Sequence, residues 1–350
     1  EENSTTMNGY AVRFHEFGGP DVLVHEEVDV PGPGEGEVLL RVLASSVNRF
    51  DVDVRAGTSR FPVGLPHVGG IEAVGRIEAL GAGVTAWTVG DRVMPDLMSP
   101  CGRCRQCRAG RQSICDQPGF VSFSTGGGYA EYLTCHESHL IRVPDALGDI
   151  QAAGVQMAFA TAWHMLFTQG DLRAGERVLI HSVGSGVGSA AVQLAALAGA
   201  EVIGTASSAA KLERAAGLGL GVGIDHTTED VPERVRAATG GDGVDLVFDH
   251  VGGEHFATGL ESLAKGGRVV ICGGHAGEVV ALDVIPFFRA EKRIIGAQSH
   301  TRAETERVLA LAASGRVQAV VHETFPLHQT RAATELVERR ENFGKVVIVP

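Results

Sequence analysis

The stretch from Val178 to Lys211 restricts the fold more than any other part of this chain. Val178 to Val183 is a short apolar run of strand-forming residues, and it enters Gly184-Ser185-Gly186-Val187-Gly188. Apolar residues at Val187, Ala190, Ala191, Leu194 and Ala198 then keep helical spacing, and Val202 to Thr205 follows as a second buried-strand run. A strand, a glycine turn, a helix and a strand in that order form one unit of a doubly wound parallel sheet.

Glycines let a phosphate approach the turn backbone, and the first turn of the helix offers unpaired N–H groups and the positive end of its dipole. Gly184, Ser185, Gly186, Val187 and Gly188 are therefore candidates to hold a dinucleotide pyrophosphate, although the spacing is G-x-G-x-G rather than G-x-G-x-x-G. About twenty residues beyond such glycines, a carboxylate would bind the adenosine ribose of NAD. Here stand Thr205, Ala206, Ser207 and Ser208, with Lys211 one turn on. Two hydroxyls and an ammonium suit a 2′-phosphate, so NADPH is the expected cofactor, with Ser207 and Lys211 as its contacts. Ser208 also has the chemistry of a helix cap.

Four further apolar runs follow: Val222–Asp225, Leu246–Asp249, Arg268–Cys272 and Arg293–Gly296. Six runs with helices between them predict a six-stranded parallel sheet over 154–300, with ligands beyond its C-terminal strand ends. That places Val183, Thr205, His226, Asp249, His250, Gly273 and Gly274 on one rim. Residues 7–153 read instead as short antiparallel strands with glycine and proline turns. From Thr301 a helix, Val321–Phe325, another helix and Lys345–Val349 are expected to return to this first region, so that 301–350 completes it. Glu1–Thr6 precede Met7 and are expected to be an addition made for expression.

Four of the six cysteines, Cys101, Cys104, Cys107 and Cys115, fall within fifteen residues. Four thiolates at such spacing predict one tetrahedral Zn²⁺ in a lobe at about 96–118, with no position open to substrate. Arg103, Arg105, Arg108 and Arg111 screen its charge. Cys135 and Cys272 are read as small core residues. A net charge of −12 disfavours a nucleic-acid groove, and no run of eighteen apolar residues or basic-then-apolar N-terminus predicts a membrane span or export signal. A cytoplasmic protein acting on a small molecule is expected.

The glycine turn, the four-cysteine lobe, the string GGYAEYL at 127–133 and the closing FGKVVI at 343–348 together resemble the medium-chain dehydrogenase/reductase superfamily. The resemblance covers the chain from Met7 to Pro350. It implies a GroES-like, mainly β catalytic domain built from both chain ends, with a Rossmann domain between. The superfamily's zinc alcohol dehydrogenases hold a second, catalytic zinc, and its three ligand positions correspond here to Asn48, Ile71 and Met157. None of the three suits zinc.

Without a Lewis acid, hydride transfer is easier to an activated double bond than between an alcohol and a ketone. The strings Val47-Asn48-Arg49 and Arg55-Ala56-Gly57 are similar to those of the zinc-independent quinone and enoyl reductase branch, which uses NADPH. Carried over by motif, Asn48 lies beside nicotinamide and substrate, and Thr161 contacts the nicotinamide. Gly273 lines the cofactor rim, Lys345 reaches the cofactor phosphates, and His226 stands where related reductases place a tyrosine against the adenosine phosphate. The expected function is NADPH-dependent reduction of quinones or α,β-unsaturated carbonyls, the substrate entering between the two domains. The alternatives are an alcohol or aldehyde dehydrogenase with an unusual metal site from His67, Glu72 or Asp51, and a nucleotide-sensing protein without turnover. Arg293–Gly296, as the last strand, is an open sheet edge that predicts a homodimer. His164 is read as a packing residue, and Phe61, Phe123 and Phe287 lie on loops expected to shape the substrate pocket.

Overall fold

A computed structural model describes residues 7–350, so the expectation for Glu1–Thr6 lies outside the described residues. The chain divides into two compact units. One takes in the chain up to Met157 with Thr305–Ser314 and Ala319–Pro350; the other is Ala158–Glu304 with Gly315–Gln318.

The first unit is mainly β. Its strands are β1 (Met7–Phe14), β2 (Val24–Val30), β3 (Glu37–Val47), β4 (His67–Val68), β5 (Ala73–Leu80), β6 (Arg92–Pro95), β7 (Met98–Ser99), β8 (Gly119–Phe120), β9 (Tyr132–His136) and β10 (Leu140–Arg142). Helix α1 (Arg49–Ala56) follows β3, and the short α2 (Arg105–Arg108) lies within the cysteine lobe. The long β3 is the organiser. Its alternating apolar residues Val38, Leu40 and Val42 are buried with Ala73, Ile77, Val93, Leu133 and Leu140. It pairs antiparallel with β5 on one side and, near its end, with the last strand of the chain on the other.

The second unit begins within α3 (Asp149–Trp163), which runs into a π-helical stretch, His164–Gln169. Its strands β11 (Arg177–Ile180), β12 (Glu201–Ala206), β13 (Val222–Asp225), β14 (Val244–Asp249), β15 (Leu263–Ile271) and β16 (Arg293–Gly296) form one parallel sheet in the order β13-β12-β11-β14-β15-β16. All six strand runs of the sequence are present. The helices are α4 (Gly186–Leu197), α5 (Ala209–Ala216), α6 (Val231–Ala238), α7 (Glu254–Ser262) and α8 (Val284–Arg289). Leu179, Ile203, Val247 and Val269 of the central strands are buried with Val235, Phe256 and Leu260 of α6 and α7. Burial on both faces explains why these strands read as continuous apolar runs.

After α9 (Arg302–Ala313), strand β17 (Val321–Pro326), α10 (Thr330–Glu338) and β18 (Lys345–Val349) rejoin the first unit. β18 lies between β3 and β17, and its pairing with β17 is parallel, unlike the antiparallel pairs elsewhere in this unit. The crossover helix α10 is what permits a parallel pair there.

Candidate active site

Three residues far apart in sequence meet because of strand register. β18 pairs with β3 through Val346↔Val47 and Val347↔Ser46, so Lys345 continues the ladder opposite Asn48. On the other side Ser45 pairs with Ala73, which brings Glu72 to the same end of β3. The side chains close a triangle. Lys345 Nζ donates to Asn48 Oδ1 at 2.7 Å and to Glu72 Oε2 at 3.2 Å, while Asn48 Nδ2 donates to Glu72 Oε2 at 2.6 Å. Lys345 is 5% exposed and Glu72 fully buried.

Asn48 also begins α1, and its amide fixes the geometry there. The Asp51 carboxylate reaches back to accept from Asn48 N–H at 2.9 Å. It accepts as well from the N–H groups of Gly70 and Ile71, at 3.2 and 3.0 Å, and from Tyr129 Oη at 3.2 Å. Gly70 holds φ +92, and a Cβ there would lie 2.7 Å from Tyr129 N, so only glycine lets this turn present both N–H groups to Asp51. Burial raises the Asp51 carboxyl to about 6, against the lowering by the N–H groups of Asn48 and Ile71.

The triangle decides what this end of β3 can hold. Of the three residues that the resemblance sets at metal-ligand positions, Ile71 is buried, and Asn48 bonds a Glu72 carboxylate that is already paired with the Lys345 ammonium. His67, Glu72 and Asp51 do not converge as a substitute. His67 Nε2 bonds Ser122 Oγ at 2.8 Å, Glu72 faces Lys345, and Asp51 faces four donors. Glu72 Oε1 is buried without a partner, leaving one acceptor position in the triangle.

Lys345 is expected by motif at the cofactor phosphates; its ammonium bonds Asn48 and Glu72, to which the β18 register brings it. Asn48 was expected to orient a substrate carbonyl. Both of its N–H donors are committed, one to Glu72 and one to Ser46 O at 3.3 Å.

The cysteine lobe is built differently. Among the described residues, Cys101, Cys104, Cys107 and Cys115 bring their sulfur atoms within 4.8 Å of one another. Cys104 and Cys115 are 3.9 Å apart, and backbone N–H groups of Cys101 and Gln117 point at Cys115 Sγ and that of Cys107 at Cys104 Sγ. None of the four is in a disulfide. Converging thiols lined by N–H donors fit a thiophilic cation of Zn²⁺ type.

In the second unit the glycine turn leaves β11 with Ser182 at φ +50. Ser185 caps α4, its Oγ accepting from Gly188 N–H at 2.9 Å and lying 2.8 Å from His250 Nε2. A Cβ on Gly188 would fall 2.2 Å from Ser182 O, so a glycine is required for the helix to start this close to the turn. Gly186 and Val187, in the first turn of α4, have N–H groups with no carbonyl four residues back inside the helix to bond. At the end of β12, Ser208 caps α5 by accepting from Lys211 N–H at 3.4 Å, while Ser207 is exposed. His226, ending β13, packs edge-on against His255 at 5.2 Å, and His255 lies 5.3 Å from His181. Burial lowers His181 to about 3. Gly273 follows β15, and a Cβ there would meet His250 O at 2.2 Å.

Thr161 lies near the end of α3, 8% exposed. One turn on, His164 Nδ1 bonds Glu304 at 3.0 Å, and Thr168 Oγ1 donates to the same carboxylate. His164 is therefore a hydrogen-bonding residue in a buried polar cluster rather than simple packing. The partner, 140 residues away, left no sequence signal.

Comparison with known proteins agrees with this geometry. The zinc-binding dehydrogenase family matches residues 186–314, and the alcohol dehydrogenase GroES-like domain matches 34–145. An alcohol dehydrogenase of Geobacillus stearothermophilus is 32% identical over 92% of this chain and 95% of its own. The chain belongs to the medium-chain dehydrogenase/reductase superfamily. Other members of the superfamily with similar sequences are a quinone oxidoreductase of Rattus norvegicus, 28% identical over 97% of both chains, and a 2-haloacrylate reductase of Burkholderia sp, 31% identical over 97% of this chain and 98% of its own. Among solved structures, an NAD-dependent alcohol dehydrogenase is 36% identical, with a TM-score of 0.92 over 97% of this chain and 99% of that one. The chain is thus an oxidoreductase of this superfamily with a GroES-like and a Rossmann unit. Among the described residues no helix is long and apolar enough to cross a membrane.

Proposed function

We propose that this superfamily member is an NADPH-dependent reductase of quinones or α,β-unsaturated carbonyls that works without a catalytic metal and carries one structural Zn²⁺ on Cys101, Cys104, Cys107 and Cys115. The observation that supports the reading is the Lys345–Asn48–Glu72 triangle, in which an ammonium of the chain itself sits on the residue that the resemblance sets at a metal-ligand position. A fixed ammonium is a weaker electrophile than zinc. It suffices for an acceptor whose charge spreads over a conjugated system, and much less well for an isolated ketone.

Bound NADPH supplies the hydride. Lys345 carries three N–H groups; two are spent on Asn48 and Glu72, and the third is the donor to the acceptor oxygen as it gains charge. Asn48 acts as a positioning residue, its Oδ1 aiming the ammonium while its Nδ2 holds Glu72. Thr161 bears on the nicotinamide. Gly184, Ser185, Gly186, Val187, Gly188 and Gly273 hold the pyrophosphate side. Ser207 and Lys211, with no carboxylate beside them, favour the 2′-phosphate, and His226 lines the adenosine side.

A homodimer is part of the reading. β16 is the sheet edge, and Val284, Ile285, Phe288 and Ile294 beside it expose apolar surface, 59%, 54%, 62% and 40% of each residue. A monomeric mass at micromolar concentration in sedimentation would count against it. The catalytic reading is tested by NADPH oxidation with menadione, cyclohexenone and an enoyl thioester, each beside a simple aldehyde. Turnover of a conjugated acceptor with one zinc per chain supports it. Turnover of the aldehyde alone, or two zinc per chain with activity lost to mild chelation, would replace it with the alcohol dehydrogenase reading.

A further inference from the structure

The strand ends of the parallel sheet carry a row of imidazoles. His181 follows β11, His226 follows β13, His250 follows β14, and His255 lies in the first turn of α7. Three of the rings stand in series: His226 meets His255 at 5.2 Å and 88°, and His255 meets His181 at 5.3 Å and 56°. α7 leaves the sheet after β14, so His255 reaches past the tips of β11 and β12 to meet the residue that ends β13.

Backbone register fixes what stands beside this pair. Asp225 pairs with Ala206, and His226 N–H donates to Ala206 O at 3.1 Å, so His226 continues the ladder opposite Ser207. Ser207 is exposed, and Ser208 caps α5, which sets Lys211 one turn into that helix. Two imidazoles, a hydroxyl and an ammonium thus occupy one corner of the rim. His226 and His255 are both partly exposed there. Burial lowers His181 to about 3 and His250 to about 4, so the two inner rings stay neutral at physiological pH.

The carboxylates around the corner are engaged. Asp225, on the same strand as His226, accepts from Thr227 N–H at 3.0 Å and Thr227 Oγ1 at 2.6 Å; the Thr227 bonds hold it below the usual carboxylate range, and the neighbouring His226 adds to the effect. Glu229 accepts from Asp225 N–H and pairs with Arg234, and Asp230 caps α6. On the β14 side, Asp249 Oδ1 accepts from Val251 and Gly252 N–H, and Glu254 is exposed at the start of α7. The end of β12 itself has no carboxylate. A chain of net charge −12 needs local positive charge to hold an anion, and Lys211 supplies one unit of it. Two protonated rings 5.2 Å apart repel each other, and a dianion at their edges cancels that repulsion.

We propose that His226 and His255 form, with Ser207 and Lys211, a clamp for the adenosine 2′-phosphate that takes up a proton as the phosphate binds. The proposal rests on the NADPH reading and adds to it a residue of α7 and a pH dependence. Preference for NADP(H) over NAD(H) grows as pH falls from about 8.5 to about 6.5, where imidazoles gain protons and the phosphate keeps both charges. Below about pH 6 the phosphate takes up a proton itself, and the gain stops.

Calorimetric titration of the whole protein with NADP⁺ and with NAD⁺ across that pH range, in two buffers of different ionisation enthalpy, tests the clamp. The ratio of the NAD⁺ Kd to the NADP⁺ Kd is expected to widen at least threefold from the highest pH to the lowest, with net proton uptake for NADP⁺ and none for NAD⁺. His255→Gln and His226→Gln should each weaken NADP⁺ at least fivefold at the lowest pH and flatten the slope, with NAD⁺ affinity held within twofold. Retained NAD⁺ binding shows that the variant is folded. Lys211→Met should weaken NADP⁺ by a similar factor at every pH and keep the slope. A wild type that prefers NADP⁺ by the same ratio at all pH values overturns the clamp and leaves the NADPH reading standing. A His255→Gln protein that keeps the wild-type slope, or loses both nucleotides equally, does the same. A wild type that prefers NAD⁺ throughout overturns the NADPH reading and the clamp together.

Discussion

The cysteine lobe and the end of β3 are two polar constructions in the same unit, and they solve opposite problems. In the lobe, four thiols converge with backbone N–H groups pointing at two of the sulfurs, a donor set that suits a cation from outside. At the end of β3, one carboxylate meets an ammonium of the chain itself, so the cation is already built in. The two constructions thus differ in where the positive charge comes from. The difference predicts which site depends on metal and which on register.

The largest effect should follow from breaking the lobe. Cys107→Ser is expected to reduce zinc from one per chain to almost none, since on the order of 10 kcal/mol of binding free energy rests on a complete thiolate set. Metal analysis checks the loss, and limited proteolysis should cut first within 96–118.

The β3 end should ignore that change and respond to its own. Lys345→Met leaves Glu72 buried without its ammonium, with only Asn48 Nδ2 still donating to it, and should cost about 3–5 kcal/mol in urea unfolding, with zinc content unchanged. Lys345→Met with Glu72→Gln should recover most of the loss while quinone reduction stays low. If the single variant loses zinc as well, the two regions are not independent and the comparison breaks.

Acid sharpens the contrast further, because buried groups pull in opposite directions. Burial lowers His181 to about 3, His250 to about 4 and His300 to about 4. Below pH 6.5 the unfolded chain binds protons these residues refuse when folded, so stability falls as pH drops from about 6.5 toward 4. Asp51, raised to about 6, does the reverse: between about 6 and 4 the folded state takes up its proton first, which offsets part of that loss. Asp51→Asn removes the offset, so the acid loss between pH 6 and 4 should steepen by up to about 3 kcal/mol. Urea midpoints measured across that range check the slope, and a shallower slope in the variant contradicts the assignment.

The smallest effect belongs to a control away from both regions. Ser208→Ala removes the cap of α5 and should cost about 1 kcal/mol, with zinc content and the pH slope untouched. A matching fall in NADPH affinity relative to NADH, measured by nucleotide fluorescence, would show that Ser208 serves cap and cofactor together.

Much of this was legible because it is local. The strand–turn–helix pattern, the cysteine spacing and the six apolar runs all depend on residues within one or two turns of each other, where backbone sterics and side-chain period act directly. The return of residues 321–349 to the first region was also legible, from strand count. What escaped was pairing over long separations. Nothing in Lys345 announces Glu72, 273 residues away, and nothing in His164 announces Glu304. The motif around Lys345 named no partner in the chain, and the register of β18 against β3 supplied two.

By itself, then, the sequence determined the superfamily, the parallel sheet and the thiolate set, because each is a statement about which atoms are present at short spacing. Only the tertiary structure decided which side chains meet at the end of β3. Those depend on strand register and loop path, where a shift of one residue turns every side chain to the opposite face, and that choice is settled by packing across the whole unit.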